Sequence, residues 1–251
     1  MTEVDLRASA LRLGEAIGTV KLDERHYLSD FILVGLATDV CDQAFATLVL
    51  ADKSIAHTGF ANARAAFEAS LEMRVLVADP ARYDEFCSLL RVYELFEFAT
   101  LSSRAPVVAE PLSPLEVRKR VEEVVIEDAQ GWDQKCAGQG MHLRRAWETF
   151  TKVDGTRALH WSGRSRLQLL RELGGEGAEA TRELDYLWGQ LSMYAHPRAR
   201  VGGREVVAED GKVSLGTSEA TRALPAVAAD LACDQAVRAI EARHGFGAVG
   251  A

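Results

Sequence analysis

The chain has 251 residues, 48% of them hydrophobic and 26% charged, which is ordinary globular composition and excludes extensive disorder. Its formal net charge is −8, with a pI near 5.4, which disfavours non-specific attraction to nucleic acid or anionic lipid. The four cysteines form no C-x-x-C and no zinc-finger spacing, so buried reduced thiols and a reducing cytoplasm are expected. The N-terminus carries neither a basic region nor an apolar one, and apolar runs are interrupted before the ~18 residues a membrane span needs. Neither a secretory signal nor a membrane partner is therefore expected.

The predicted elements follow in chain order. Residues 2–17 read as an amphipathic helix with Val4, Leu11, Leu13 and Ile17 apolar. Asp23 is placed to cap a long helix, whose stripe Tyr27, Phe31, Val34, Thr38, Cys41, Phe45 and Leu48 keeps helical period. A third helix, 58–78, has Thr58 as cap and Ala63, Phe67, Leu71 and Leu76 as its inward face. Asp79-Pro80 breaks it, because the residue before proline avoids the helical region. A fourth helix holds Tyr83, Phe86, Leu90, Tyr93 and Phe96. Residues 102–114 contain three of the six prolines and are the best place to subdivide an otherwise single domain. Ser113-Pro114, with Glu116 following, starts a helix carrying Val117, Val121, Val124 and Val125 and ending near Gly131. Residues 131–158 look irregular apart from a short helix at 143–150. Another helix starts at Ser162 or Ser165 and stops at Gly174-Gly175. Residues 179–195 are helical, with Pro197 just beyond. A small β-hairpin is expected near 204–215 from the Asp210-Gly211 turn pair. A last helix, 218–243, turns Leu224, Val227, Leu231 and Ile240 inward and takes Pro225 in its first turns. The fold class is all-α: an irregular bundle of seven or eight helices with one small hairpin. No internal repeat and no glycine-rich phosphate loop is present.

Three segments carry polar residues that a bland helix does not need. They are Arg64-Ala-Ala-Phe67-Glu68, His160-Trp161-Ser162-Gly163-Arg164-Ser165, and Tyr186 through Ser192, Tyr194 and His196-Pro197. In order and spacing they resemble a widespread prokaryotic family of helical proteins of unknown function. The resemblance covers roughly residues 25–215 and implies a helical fold in a bacterial protein, with no activity attached.

The residues themselves suggest chemistry. Arg64 and Glu68, four apart, share a helix face; they either pair with each other or place Arg64 in a cleft with Glu68 orienting it. His160 and Trp161 precede a helix N-terminus flanked by Arg164, an arrangement suited to an anion. Between residues 142 and 171 seven Lys/Arg face two acidic residues, so positive charge is concentrated there. Ser192 and His196 are also four apart, without the strand–turn–helix context of a hydrolase. Asp23-x-x-His26 and Glu241-x-x-His244 have the spacing of di-iron bundle ligands, but lack the further glutamates such a centre needs. Arg238 and His244 match the Arg-then-His spacing of a helical ribonuclease superfamily, a pattern short enough to arise by chance. Trp132, Trp147 and Trp188 read as core or interface residues.

The leading expectation is an intracellular binding or regulatory domain. Its polar cleft would use Arg64, Glu68, His160, Trp161, Arg164, Ser192, Tyr194 and His196 to hold a small anionic or phosphate-bearing ligand, with no metal or cofactor. The rival is a metal-independent ribonuclease-like hydrolase of a toxin or phage-defence type, with His196, Arg64 and His160 catalytic and RNA as partner. A third reading is a structural homo-oligomer.

Overall fold

Eight α-helices are present among the described residues: α1 (Leu6–Thr19), α2 (Tyr27–Asp52), α3 (Ala56–Ala78), α4 (Tyr83–Ser102), α5 (Pro114–Lys135), α6 (Gln139–Lys152), α7 (Ala178–Ala195) and α8 (Glu219–His244). The structure is a computed structural model that describes residues 5–52, 56–102, 113–152, 168, 178–195, 205–209, 212–216 and 219–245. The helix expected from Ser162 or Ser165 to Gly174 lies almost wholly outside them. The caps explain several helix starts. Asp5 accepts a hydrogen bond from the Ala8 N–H at 3.0 Å. Asp79 accepts from the Ala81 N–H at 3.1 Å ahead of Pro80. Ser113 and Glu116 form a reciprocal capping box, the Glu116 N–H donating to Ser113 Oγ at 3.3 Å and the Ser113 N–H to Glu116 Oε2 at 2.8 Å.

The chain divides into two compact units. The first comprises residues 1–20, 34–78 and 167–251, the second 21–33 and 79–166. The proline-rich stretch 102–114 therefore lies within the second unit, and α4 and α5 on either side of it pack against each other. α2 gives its first seven residues to the second unit and the rest to the first.

In the first unit α8 packs on α1, α3 and α7, and α3 also packs on α7. Its inward face is built mainly of small residues: Ala228, Ala229, Ala232, Cys233, Ala236 and Ala239, with Ile240. Against them α3 buries Phe60, Ala63, Phe67, Leu71 and Leu76, so its expected face is the observed one. At one end the backbones come close: a Cβ on Gly59 would lie 3.5 Å from Pro225 Cβ and 3.6 Å from Thr47 Cγ2. Pro225 is buried in the second turn of α8 without ending it.

Two expected stripes are corrected. In α2 the buried positions are Leu28, Ser29, Asp30, Leu33, Leu36, Ala37, Val40, Ala44 and Thr47, whereas Phe31 is 50% exposed and Thr38 is exposed. In α8 Leu224, Val227 and Leu231 are only partly buried. Both helices are apolar on several faces, so periodicity does not single one out, and alanine lets neighbouring helices approach where bulk would hold them apart. In α1 Leu13 is buried as expected, together with Leu6 and Ala10, whereas Leu11 is 54% exposed. The stretch Glu24–Leu50, with mean hydropathy 1.5 over its best window, is long and apolar enough to cross a membrane by length and composition. Asp30 inside it is fully buried and bonded to other protein groups, accepting from the Tyr83 hydroxyl at 3.2 Å and the Asp23 N–H at 3.1 Å.

In the second unit α4, α5 and α6 pack on one another in all three pairings. α5 does not end at Gly131 but continues to Lys135, and α6 starts as early as Gln139. The short turn between them replaces the expected irregular stretch. Gly138 takes φ +88, a left-handed value that a glycine adopts without strain. The Gly140 N–H donates to Asp133 Oδ1 at 2.8 Å, and Arg144 pairs with the other oxygen of that carboxylate at 2.8 Å. Trp147 stacks on Phe150 at 6.1 Å, and Phe150 meets Phe96 of α4 at 5.3 Å.

The small hairpin is not supported as part of this packed fold. Segments β1 (Glu205–Glu209) and β2 (Lys212–Gly216) run antiparallel, with Glu205 opposite Gly216, but the Asp210-Gly211 pair that prompted the expectation lies outside the described residues. A lone two-stranded ribbon is marginal in water and adds nothing to the helical core.

Gly140 gives a direct test of the α5–α6 turn. A Cβ there would run into the carbonyl of Ala129. Gly140→Ala is expected to destabilise the protein by about 1–3 kcal/mol, the usual range for forced overpacking. The measurement is a lowered urea midpoint at unchanged slope; an unaltered midpoint would show that the turn relaxes freely.

Candidate functional site

Of the eight residues singled out from sequence, the structure places Arg64, Glu68 and Ser192 with their side chains, and Tyr194 by its backbone in α7. His160, Trp161, Arg164 and His196 lie outside the described residues. The first and third segments do meet, because α3 packs against α7. Trp188, read from sequence as a core or interface residue, takes part in this contact.

The geometry is specific. Arg64 and Glu68 lie on one face of α3, a turn apart, and Arg64 Nε–H donates to Glu68 Oε1 at 3.0 Å. The same oxygen accepts the indole N–H of Trp188 at 2.8 Å. The Arg64 guanidinium carbon lies 5.2 Å from the centre of the Trp188 ring, a cation–π distance. The two side chains therefore pair with each other, as the first reading of their spacing expects. Arg64 uses one of its five N–H donors in this way. Its two outer nitrogens make no hydrogen bond among the described residues. The Arg64 side chain is 27% exposed and that of Glu68 41%. One turn beyond Trp188 on the same face of α7, Ser192 Oγ is buried without a hydrogen-bond partner among the described residues. Such an orphan costs about 1–3 kcal/mol unless something satisfies it.

A second polar cluster, in the second unit, went unseen in the sequence. His26 Nδ1 lies 2.8 Å and 3.0 Å from the two oxygens of Asp84, and the Ser29 hydroxyl donates to Asp84 Oδ1 at 2.6 Å. Nearby, Gln139 spans three backbone groups. Its Oε1 accepts the Leu28 N–H at 3.1 Å, and its Nε2 donates to the carbonyls of Arg25 (3.0 Å) and Glu24 (3.3 Å). These bonds fasten the start of α2 to α4 and to the α5–α6 turn. The separations of 58 and 111 residues explain why spacing alone missed them. His26 therefore turns to Asp84, while Asp23 caps the Arg25 N–H at 2.9 Å, so the pair does not act as the i, i+3 metal ligands its spacing suggested. Among the described residues no three His, Cys, Asp or Glu side chains are grouped for a metal. Arg238, the arginine of the ribonuclease-like spacing, is 77% exposed and reaches Asp234 at 3.5 Å.

All four cysteines are free thiols. Burial raises Cys87 far above the ordinary thiol value, with Asp84 and Asp30 adding to the effect. Burial, with the neighbouring Cys41, pushes Cys233 up to about 12. No protein-family model matches the chain, and no curated protein or solved structure is similar to it.

The raised thiols carry a pH prediction. In the folded state Cys87 and Cys233 keep their protons where the unfolded chain, with thiols near 9.0, loses them. Their contribution is complete below about pH 9 and falls as pH rises through that value. Urea midpoints between pH 7 and 10.5 should decline more steeply for the wild type than for Cys87→Ala/Cys233→Ala. Parallel decline in both would place the alkaline sensitivity elsewhere.

Proposed function

We propose that the protein is a helical binding module for a small oxyanion or phosphate-bearing ligand, with Arg64 as the group that contacts the anion. The observation that carries this reading is the state of the Arg64 guanidinium: anchored through Nε, laid against an indole ring, and carrying two outer nitrogens with no hydrogen-bond partner among the described residues. A guanidinium edge held in this way meets a carboxylate or phosphate through two parallel hydrogen bonds, and its orientation is fixed before the ligand arrives. The Ser192 hydroxyl, one turn beyond Trp188 on α7, is a further polar group without a partner among the described residues. The concentration of Lys and Arg between residues 142 and 171, including Arg164, adds to the attraction of an anion within an acidic protein.

The test is thermal stability in low salt with inorganic phosphate, pyrophosphate and adenosine monophosphate. A ligand at a hundred times its Kd stabilises the folded state by about 2.7 kcal/mol, which for a chain of this size raises Tm by roughly 5–10 °C. Arg64→Ala should abolish that rise. If none of the three ligands shifts the wild type, or if Arg64→Ala responds as the wild type does, the reading is wrong.

A further inference from the structure

The Arg64 pair is nearly neutral as a unit, and that determines what it can select. Glu68 lies against the guanidinium, so long-range attraction for any anion is largely cancelled. What remains is short-range and directional. Glu68 Oε1 fixes Arg64 within the guanidinium plane through Nε (3.0 Å), and the Trp188 ring supports it at 5.2 Å. Trp188 is fixed in turn by its own N–H on the same oxygen (2.8 Å). One carboxylate oxygen therefore locks both the cation and the ring beside it, and the outer guanidinium edge points in a set direction.

We propose that Glu68 and Trp188 are positioning residues that make the Arg64 site selective for oxyanions able to accept two parallel hydrogen bonds, carboxylate or phosphoryl, over spherical anions such as chloride. The proposal rests on Arg64 being the anion-contacting group. A chloride ion gains from charge but not from a fork, and the charge is offset by Glu68. A carboxylate or phosphoryl group gains from both outer nitrogens at once.

Calorimetric titration of the full chain with sodium phosphate, sodium acetate and sodium chloride tests this. Phosphate and acetate distinguish the two oxyanion classes. The wild type should bind at least one of them and show no measurable heat with chloride. Trp188→Phe keeps a ring but removes the N–H that holds Glu68, and should weaken oxyanion binding about tenfold, the scale of one charged hydrogen bond. Glu68→Gln keeps an oxygen acceptor and removes the charge. It should let chloride compete, so that the preference for oxyanion over chloride falls, which a purely structural salt bridge would not produce. Arg64→Lys keeps the charge and loses the fork, so it should lose oxyanion affinity and gain no selectivity. Circular-dichroism melts establish that each variant is folded; whichever of Glu68→Gln and Trp188→Phe is folded carries the test of positioning, and Arg64→Lys tests the contact itself. If the wild type binds oxyanion through Arg64 while Glu68→Gln and Trp188→Phe, where folded, keep its affinity and selectivity within twofold, the positioning role is overturned and the binding reading stands. If the wild type binds neither phosphate nor acetate, both fall.

Discussion

The constraint on which the first unit depends is close approach between helices lined with small side chains. The chain is only 7% aromatic, so it has few large groups with which to fill a wide core. Among the described residues α8 meets this with alanines at five of its ten buried positions, and a Cβ at Gly59 of α3 would already be in van der Waals contact with the Pro225 side chain of α8. Short separations let many weak dispersion contacts accumulate without bulky residues. The larger side chains of α3, Phe60, Phe67 and Leu76, then occupy the spaces that the alanines leave. The same packing fixes α3 against α7, and so brings Arg64 and Glu68 within reach of Trp188.

The second unit relies on polar fasteners. Asp84, Asp30 and Gln139 each bind groups far away in sequence, and each is largely satisfied by partners of good geometry. A buried amide that bonds three backbone groups tolerates little displacement, because each lost bond leaves a buried polar atom unpaired. Gln139 thus places the first turns of α2 more narrowly than apolar contact alone would. The aromatic contacts of Tyr27 and Phe31 with Trp132, at 6.1 Å and 5.1 Å, lie on the same segment and use the ring that Lys135 covers at 4.3 Å. Phe31 is therefore half-exposed without being idle.

The Arg64 site joins these two kinds of design. Small-residue packing sets the spacing of the helices, and hydrogen bonds to a single carboxylate oxygen then set the orientation of a cation and a ring. Glu68 does with one oxygen what a metal site does with outer ligands: it fixes the direction of the groups bonded to it. The i, i+4 spacing of Arg64 and Glu68 was visible in the sequence and already held both possibilities. Trp188 was visible too, but as one tryptophan among four, with nothing local to mark it as the partner of a residue 120 positions earlier.

By itself the sequence determined the helical character, most helix starts and the inward face of α3. These follow from local rules: a capping side chain reaches only two or three residues ahead, and proline disturbs only its own neighbourhood. Asp79 and the Ser113/Glu116 box are cases in point. The tertiary structure alone decided which face of α2 and of α8 is buried, because both helices are apolar on several sides and the choice belongs to the neighbour. It also decided that His26 turns to Asp84 rather than to Asp23, and that Arg64 and Glu68 close on Trp188. In each case the deciding partner is remote in the chain, and local spacing holds no information about a contact that exists only once helices pack.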